Sequence, residues 1–101
     1  MKKTSLLGAP RAKAGLDAFI MHNSPTLEIM HICLAPGQEI PQHANPFDVV
    51  ACLVLGEVTM AVGDIQSKLE VYDMVEVEKN LARGFTNTGN SEARLIIIKK
   101  L

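Results

Sequence analysis

The chain has 101 residues, of which 48% are hydrophobic, 21% charged and 4% aromatic, and its formal net charge at pH 7 is −1. This length suits one domain with one hydrophobic core, and the composition excludes disordered, collagen-like and coiled-coil chains. No uncharged apolar run approaches the ~20 residues that cross a membrane. We therefore expect residues 1–101 to form a single globular domain that does not cross a membrane.

Positive charge is concentrated at the two ends of the sequence. The first thirteen residues carry +4 and residues 94–101 carry +3, whereas residues 14–93 hold all eleven carboxylates against three basic side chains. An acidic body with few aromatic residues is a poor surface for nucleic acid, so we expect no nucleic-acid partner. Pro10, Arg11 and Lys13 interrupt the apolar stretch that a signal peptide would need, which predicts a cytoplasmic protein.

The two cysteines, Cys33 and Cys52, have no C-x-x-C spacing and lie inside apolar stretches. Free cysteine is among the most frequently buried residue types, and cytosolic proteins keep their thiols reduced. We therefore predict buried, reduced thiols and not a disulfide or a nucleophile. His31 shares a strand face with Ile29 and Cys33, and for this histidine we expect packing and not metal binding.

Apolar and polar residues alternate with a period of two, and turn residues interrupt the alternation, which predicts many short β-strands. The clearest strand is 26–35, which Pro36 and Gly37 end, and Gly63 with Asp64 predicts a two-residue hairpin turn. Only the N-terminal residues show a weak helical period. The predicted strands are 17–22, 26–35, 47–55, 57–62, 65–71, 74–78, 83–87 and 93–99.

Three segments depart from this alternation. Residues 38–46 contain Pro41 and Pro46 and are predicted to form a loop. Residues 47–55 and 93–99 are apolar on both strand faces, so the face turned away from the core also needs a cover. A partner subunit or the N-terminal segment could supply that cover. The pattern predicts an all-β sandwich or barrel, and we expect a homodimer.

One spacing in the middle of the chain points to a family. Gly37 is followed after five residues by His43, and then by Asn45, Val49 and Gly56. This spacing resembles the first motif of the cupin family, in which a glycine precedes His-x-His, a glutamate and a second glycine. Gly37 permits backbone angles closed to other residues. Positions 43 and 45 are two apart, which directs both side chains to one face of an extended segment.

A second stretch is similar to the family's second motif, which runs Gly-Asp, a strand, Pro-x-Gly, a histidine and an asparagine. The corresponding positions here are held by Tyr72, Asp73, Glu78, Asn80, Arg83 and Asn87. Because Tyr72 replaces a turn glycine, we expect that turn not to require a positive φ. The resemblance implies a barrel over residues 26–99, with residues 1–25 forming an N-terminal segment and the first strands.

The resemblance implies a jelly-roll barrel, or double-stranded β-helix, of two antiparallel sheets that holds a metal through two histidines, a glutamate and a third histidine. Of these four ligands only His43 is kept, because Asn45, Val49 and Arg83 occupy the other places. Transition metals need about three or four donors, and a guanidinium opposes a cation beside it. We therefore expect no tightly bound cofactor, with a divalent transition metal partly held by His43 as the alternative.

The family's barrel mouth becomes the predicted ligand pocket, formed by His43, Asn45, Phe47, Arg83 and Phe85. A buried arginine needs an acidic partner. One hypothesis gives Arg83 an internal partner, Asp48 or Glu76. The other gives it the carboxylate or phosphate of a small ligand, bound through the two-pronged guanidinium.

Three classes of function remain open at this point. The preferred hypothesis is a regulatory or structural module that binds a small anion, has no tightly bound metal and has no catalytic residue. The second is a metal-dependent cupin enzyme such as a dioxygenase, isomerase or decarboxylase. The third is metal-free acid–base chemistry through His43, because some cupin sugar epimerases pair a histidine with an aspartate, for which Asp48 and Asp73 are the candidates.

Overall fold

The computed structural model describes residues 1–12 and 16–101, so that Lys13, one of the basic N-terminal residues, lies outside the described residues. The described chain contains one short 3₁₀-helix, Leu6–Gly8, and nine β-strands. None of its helical residues forms a segment long and apolar enough to cross a bilayer. The strands are β1 (Asp17–Asn23), β2 (Leu27–Leu34), β3 (Glu39–His43), β4 (Asp48–Leu55), β5 (Val58–Val62), β6 (Ile65–Leu69), β7 (Met74–Val77), β8 (Arg83–Thr86) and β9 (Ala93–Lys100).

These strands form two antiparallel sheets, with the orders β1-β2-β9-β4-β7 and β3-β8-β5-β6. Alternate residues of each strand point inward, and the two inner faces enclose one core. The prediction of an all-β fold with two antiparallel sheets is confirmed. The largest fully buried apolar side chains of this core are Leu34, Leu53, Met60, Leu69, Leu95, Val49 and Val58.

Asn87 is a polar side chain inside this fold, with 1% of its surface exposed. Its side-chain amide donates to the carbonyl oxygens of Leu34 (2.9 Å) and Ser91 (2.8 Å), and its Oδ1 accepts from the Gly89 N–H (3.0 Å). A buried amide is tolerated where its groups are hydrogen-bonded. Asn87 therefore fastens the turn after β8 to the end of β2, which joins the two sheets.

The predicted loop over residues 38–46 is wrong in part, because residues Glu39–His43 form strand β3. Pro41 lacks a backbone N–H and is therefore excluded from central strands, but it is tolerated on edge strands and at bulges. Both conditions hold here, since β3 is the edge strand of its sheet and its register shifts between Ile40 and His43.

The expectation for the turn at Tyr72 is also wrong. Tyr72 has a φ of 76°, in the left-handed region. It is the third residue of a β-turn in which the Asp73 N–H donates to the Glu70 carbonyl (3.0 Å), while the Asp73 carboxylate accepts from the Glu70 N–H (2.9 Å). These two hydrogen bonds fix the turn. At its third position the turn requires a positive φ, which glycine adopts without strain, and Tyr72 is held in that conformation.

The five-stranded sheet has an apolar outer face, turned away from the core. Two rows of paired residues cross β2, β9 and β4 on this face. Each side chain in these rows is only half-buried. Within the described part of the N-terminal segment, Pro10 and Ala12 hydrogen-bond to strand β1 at the edge of this sheet. The residues of this outer face are Ile29, Ile98 and Val50 in one row and His31, Ile96 and Cys52 in the other.

Two polar or reactive side chains, His31 and Cys33, occupy alternate positions of β2 on the side of the outer face. Both cysteines are free thiols, and Cys33 is buried as predicted while Cys52 is half-buried. Burial raises the pKa of the Cys33 thiol, which makes it a poor nucleophile at neutral pH. The Nε2 atom of His31 is buried and has no hydrogen-bond partner in the described chain. Burial lowers the pKa of His31, and the positive charge of nearby Arg94 lowers it further, while Glu92 acts in the opposite direction. The net effect favours the neutral imidazole.

The positive φ at Tyr72 predicts a gain in stability from glycine. A non-glycine residue in the left-handed region costs about 1–2 kcal/mol, and the Tyr72 side chain is exposed, so little packing is lost. Allowing for the greater entropy of unfolded glycine, we expect Tyr72→Gly to raise the free energy of unfolding by about 0.5–1 kcal/mol in urea denaturation. Tyr72→Ala is the control, since alanine keeps the strain, and an equal gain from alanine would contradict this explanation.

Candidate functional site

A cavity of about 440 Å³ opens between the two sheets at one end of the barrel. The five-stranded sheet and Phe85 give it an apolar wall, in which inward-facing side chains of β2, β4 and β9 lie side by side. Pockets of this size and character are typical small-molecule sites in proteins. The main apolar lining residues are Leu16, Met30, Ile32, Val49, Phe85 and Ile97.

The polar wall of the cavity is formed where the edge strand β3 pairs with β8. The register places His43 directly opposite Arg83. Gly84 makes this pairing possible, because a Cβ at that position would lie 2.7 Å from the Ile40 carbonyl oxygen and 2.9 Å from the Gln42 nitrogen. A side chain at residue 84 would therefore push β3 away from β8. The close approach of the two strands is what brings His43 and Arg83 to the same cavity.

Arg83 is the central polar residue of the site. Only 3% of its surface is exposed, yet it lines the cavity. Its Nη1 atom is buried and has no hydrogen-bond partner in the described residues, and no ion pair within 4.0 Å joins it to a carboxylate of that part of the chain. Burial lowers the pKa of Arg83. An arginine nevertheless stays protonated in proteins, so the cavity contains a positive charge that no described residue pairs.

Neither internal partner suggested by the sequence reaches Arg83. Asp48 is exposed, and its Oδ1 accepts a hydrogen bond from the Lys79 N–H at 2.9 Å. Glu76 is exposed and pairs across the strands with Val50, which belongs to the outer face of the five-stranded sheet. The hypothesis of an internal salt bridge to either residue is not supported by this geometry.

His43 and Asn45 lie together at the mouth of the cavity. The Asn45 amide nitrogen is 3.4 Å from His43 Nε2, and His43 Nδ1 is 3.3 Å from the Pro41 carbonyl oxygen. These contacts suit an imidazole that carries its proton on Nδ1 and accepts from Asn45 on Nε2. Within the described chain, the carboxylate of Asp73 serves the Glu70 turn and makes no hydrogen bond to His43. The geometry therefore shows no histidine–aspartate pair of the kind used in acid–base catalysis.

The side chains at the family's four ligand positions gather at this cavity, since His43, Asn45, Val49 and Arg83 all line it. They supply one imidazole, one amide, one alkyl group and one guanidinium. No group of three or more histidine, cysteine or acidic side chains suited to a metal ion occurs among residues 1–12 and 16–101. Transition-metal sites need about three or four donor atoms, so this donor set does not fit one.

Besides the apolar wall, the structure adds two polar lining residues, Gln42 and Lys99, that the sequence analysis missed, and it leaves out Phe47, which the analysis named. Phe47 does not line the cavity; its ring lies under Lys99, with Nζ 5.6 Å from the centroid. Lys99 does line the cavity, and its Nζ is 3.4 Å from the Glu28 carboxylate. Gln42 also lines it and donates to the Gly63 carbonyl at 3.0 Å. The signal for Lys99 was available, because it shares the inward parity of Ile97 on β9.

Comparison with known proteins agrees with the barrel fold. The Cupin domain model matches residues 30–99, and the chain therefore belongs to the cupin family. No curated protein matches the sequence significantly. The TT1209 protein of Thermus thermophilus is similar, with a TM-score of 0.84 at 22% identity over 99% of this chain and 97% of that chain.

Two further solved structures share the fold. An RmlC-like cupin from Shewanella frigidimarina has a TM-score of 0.85 at 19% identity, over 99% of this chain and 90% of that one. The polyketide cyclase RemF from Streptomyces resistomycificus has a TM-score of 0.83 at 10% identity, over 99% of this chain and 79% of that one. At these identities the likeness concerns the fold alone.

Because the charge of Arg83 is unpaired, we predict that a substitution that removes this charge stabilises the protein without a bound ligand. Methionine fills a similar volume and carries no charge, so we expect Arg83→Met to raise the free energy of unfolding by about 1–3 kcal/mol. Urea denaturation measures the change. Lys68→Met is the matched control, since Lys68 makes only an exposed ion pair with Glu57 and should change stability by less than about 0.5 kcal/mol. A destabilised Arg83→Met would contradict the unpaired state of the guanidinium.

Proposed function

We propose that this cupin is a small-molecule binding module, with a regulatory or structural role, that holds an anion on Arg83 inside the barrel and has no tightly bound metal. The observation that carries the proposal is the buried Arg83 guanidinium, which has a free donor and no acidic partner in the described chain. No carboxylate belongs to the described lining of the cavity. We also propose a cytoplasmic location, where thiols are kept reduced, since Cys33 and Cys52 are free thiols.

The proposal gives the buried charge a physical reason. An unpaired buried ion destabilises a fold by several kcal/mol, and the loss is offset when a counter-ion with good hydrogen-bond geometry arrives. A guanidinium presents parallel N–H donors that match the two oxygens of a carboxylate or phosphate. His43 and Asn45 at the mouth supply further polar groups beside the anion.

A thermal-shift screen with small carboxylates, sugar phosphates and nucleotides tests this function. A ligand at a hundred times its Kd stabilises the folded state by about 2.7 kcal/mol, which raises the Tm of a domain of this size by roughly 10 °C. We expect at least one anion class to produce such a shift in the wild type and in Lys68→Met, and no shift in Arg83→Met. A screen in which no anion moves the Tm would count against the proposal.

We also propose that the family's metal site is degenerate in this chain, because an alkyl group at Val49 and a guanidinium at Arg83 replace two of its ligands. Elemental analysis of tag-free protein should find less than roughly a tenth of a metal ion per chain. Arg83→His removes the charge and restores a ligand, and we expect only weak nickel or zinc affinity because Val49 remains apolar. Tight metal binding by the wild type would favour a metal-dependent enzyme.

We further propose that the chain forms a homodimer through the outer face of its five-stranded sheet. This face carries two rows of paired, half-buried side chains on β2, β9 and β4. Neutral His31 suits a dry interface, because burial already lowers its pKa. A two-fold axis pairs the same patch on both subunits, so β9 at the centre of the sheet would face the partner's β9.

The proposed dimer predicts that a charge on the outer face separates the subunits. In size-exclusion chromatography with light scattering we expect twice the mass of one chain for the wild type and the mass of a single chain for Ile96→Asp. Ile98→Glu, in the neighbouring row, is a second variant, and circular dichroism checks that both remain folded. Ile65→Asp is the control, since Ile65 is exposed on β6 of the other sheet. A monomeric wild type would refute the dimer.

A further inference from the structure

We infer that the anion held on Arg83 is an apolar monocarboxylate, whose carboxylate meets the guanidinium and whose hydrocarbon or aromatic part lies against the five-stranded sheet. This inference rests on the proposed anion site and adds the chemical class of the ligand. Three properties of the cavity carry it: the number of free charges, the kind of donors and the nature of the opposite wall.

The charges of the cavity favour an anion with a single negative charge. Arg83 is buried and unpaired in the described chain, whereas Lys99 already lies beside the Glu28 carboxylate. One carboxylate neutralises one guanidinium. A phosphate monoester has close to two negative charges at pH 7, so it would leave an uncompensated negative charge beside the apolar wall of the cavity, which is unfavourable.

The donors at the site also favour a carboxylate over a phosphate. Phosphate sites are commonly built from clustered backbone N–H groups at a helix N-terminus or in a glycine-rich loop. The helix of the described chain, Leu6–Gly8, has three residues and does not line the cavity. Arg83 itself starts strand β8, and the donor it offers is its planar side chain. A planar fork pairs with two oxygens of a carboxylate or of a phosphate, so it can hold a carboxylate without the helix N-terminus that phosphate sites commonly use.

The wall opposite Arg83 determines the rest of the ligand. Met30, Ile32, Val49 and Ile97 line this wall with apolar side chains. Lys99 also lines the cavity from this sheet, but its Nζ already lies 3.4 Å from the Glu28 carboxylate. The hydroxyl groups of a sugar or a polyol would lose water there without gaining partners, which costs free energy for each group. An alkyl chain or a single aromatic ring instead gains from leaving water, and a cavity of about 440 Å³ has room for either.

Titration calorimetry with four matched probes tests the inference. Benzoate has the predicted head and tail. Benzyl alcohol keeps the ring without the charge, phenyl phosphate keeps the ring with a larger anionic head, and gluconate keeps the carboxylate on a polar chain. We expect benzoate to bind the wild type at least ten times more tightly than each of the other three, as befits a charge-assisted hydrogen-bond pair. Hexanoate, an apolar carboxylate without a ring, should share this preference.

Variants then assign the binding to Arg83. We expect Arg83→Met to weaken benzoate binding at least tenfold and Arg83→Lys to weaken it less, because lysine keeps the charge and loses the fork. Lys68→Met, which removes an exposed charge on the edge strand β6 of the same sheet and outside the described cavity lining, should bind benzoate as the wild type does. Circular dichroism and urea denaturation show that each variant is folded before it is titrated.

The outcomes separate this inference from the function on which it rests. If phenyl phosphate or gluconate binds as tightly as benzoate and depends on Arg83, the ligand class is wrong and the anion site stands. If no anion binds, or if benzoate binds Arg83→Met as well as the wild type, both proposals are overturned. Benzyl alcohol binding as tightly as benzoate would show that the apolar wall acts without the guanidinium and would also refute the inference.

Discussion

The structure depends on one unusual arrangement, a guanidinium that the fold buries without giving it an acidic partner in the described chain. Small domains are stable by only about 5–15 kcal/mol, so an unpaired buried charge is a considerable burden. Arg83 is kept in place by the pairing of β8 with β3, which Gly84 permits. A position fixed so firmly and at such a cost is characteristic of sites where stability is given up for binding.

Most strands could be predicted because their residues alternate with a period of two and their turns contain glycine, proline or aspartate. The errors have local physical reasons. Strand β3 was missed because it contains Pro41, and a proline normally breaks a strand. The proline is allowed here because β3 is an edge strand and has a bulge. The left-handed conformation of Tyr72 was missed because tyrosine disfavours it. Hydrogen bonds between Glu70 and Asp73 hold the backbone in that conformation. Tertiary contacts decide both cases, and a single sequence does not display them.

The candidate site was predictable to the extent that motif spacing fixes register. His43, Asn45 and Arg83 were named from motif spacing and Phe85 from its place beside the motif, and all four line the cavity. Phe47 was named from proximity in sequence, and its ring instead lies under Lys99. The free state of Arg83 was not predictable, because whether Asp48 or Glu76 reaches it depends on which face of the sheet each carboxylate occupies. The expected dimer and metal-free cavity remain predictions.

Strand β9 connects the two proposed surfaces of the molecule. Its inward residues Ile97 and Lys99 line the cavity, while Ile96 and Ile98 belong to the outer face of the same sheet. Because side chains alternate along a strand, neighbouring residues of one strand serve different partners. The strand also lies at the centre of its sheet, where it is hydrogen-bonded on both sides. It therefore supplies a rigid wall to the cavity, and an apolar ligand and a second subunit would each bury one side of that wall.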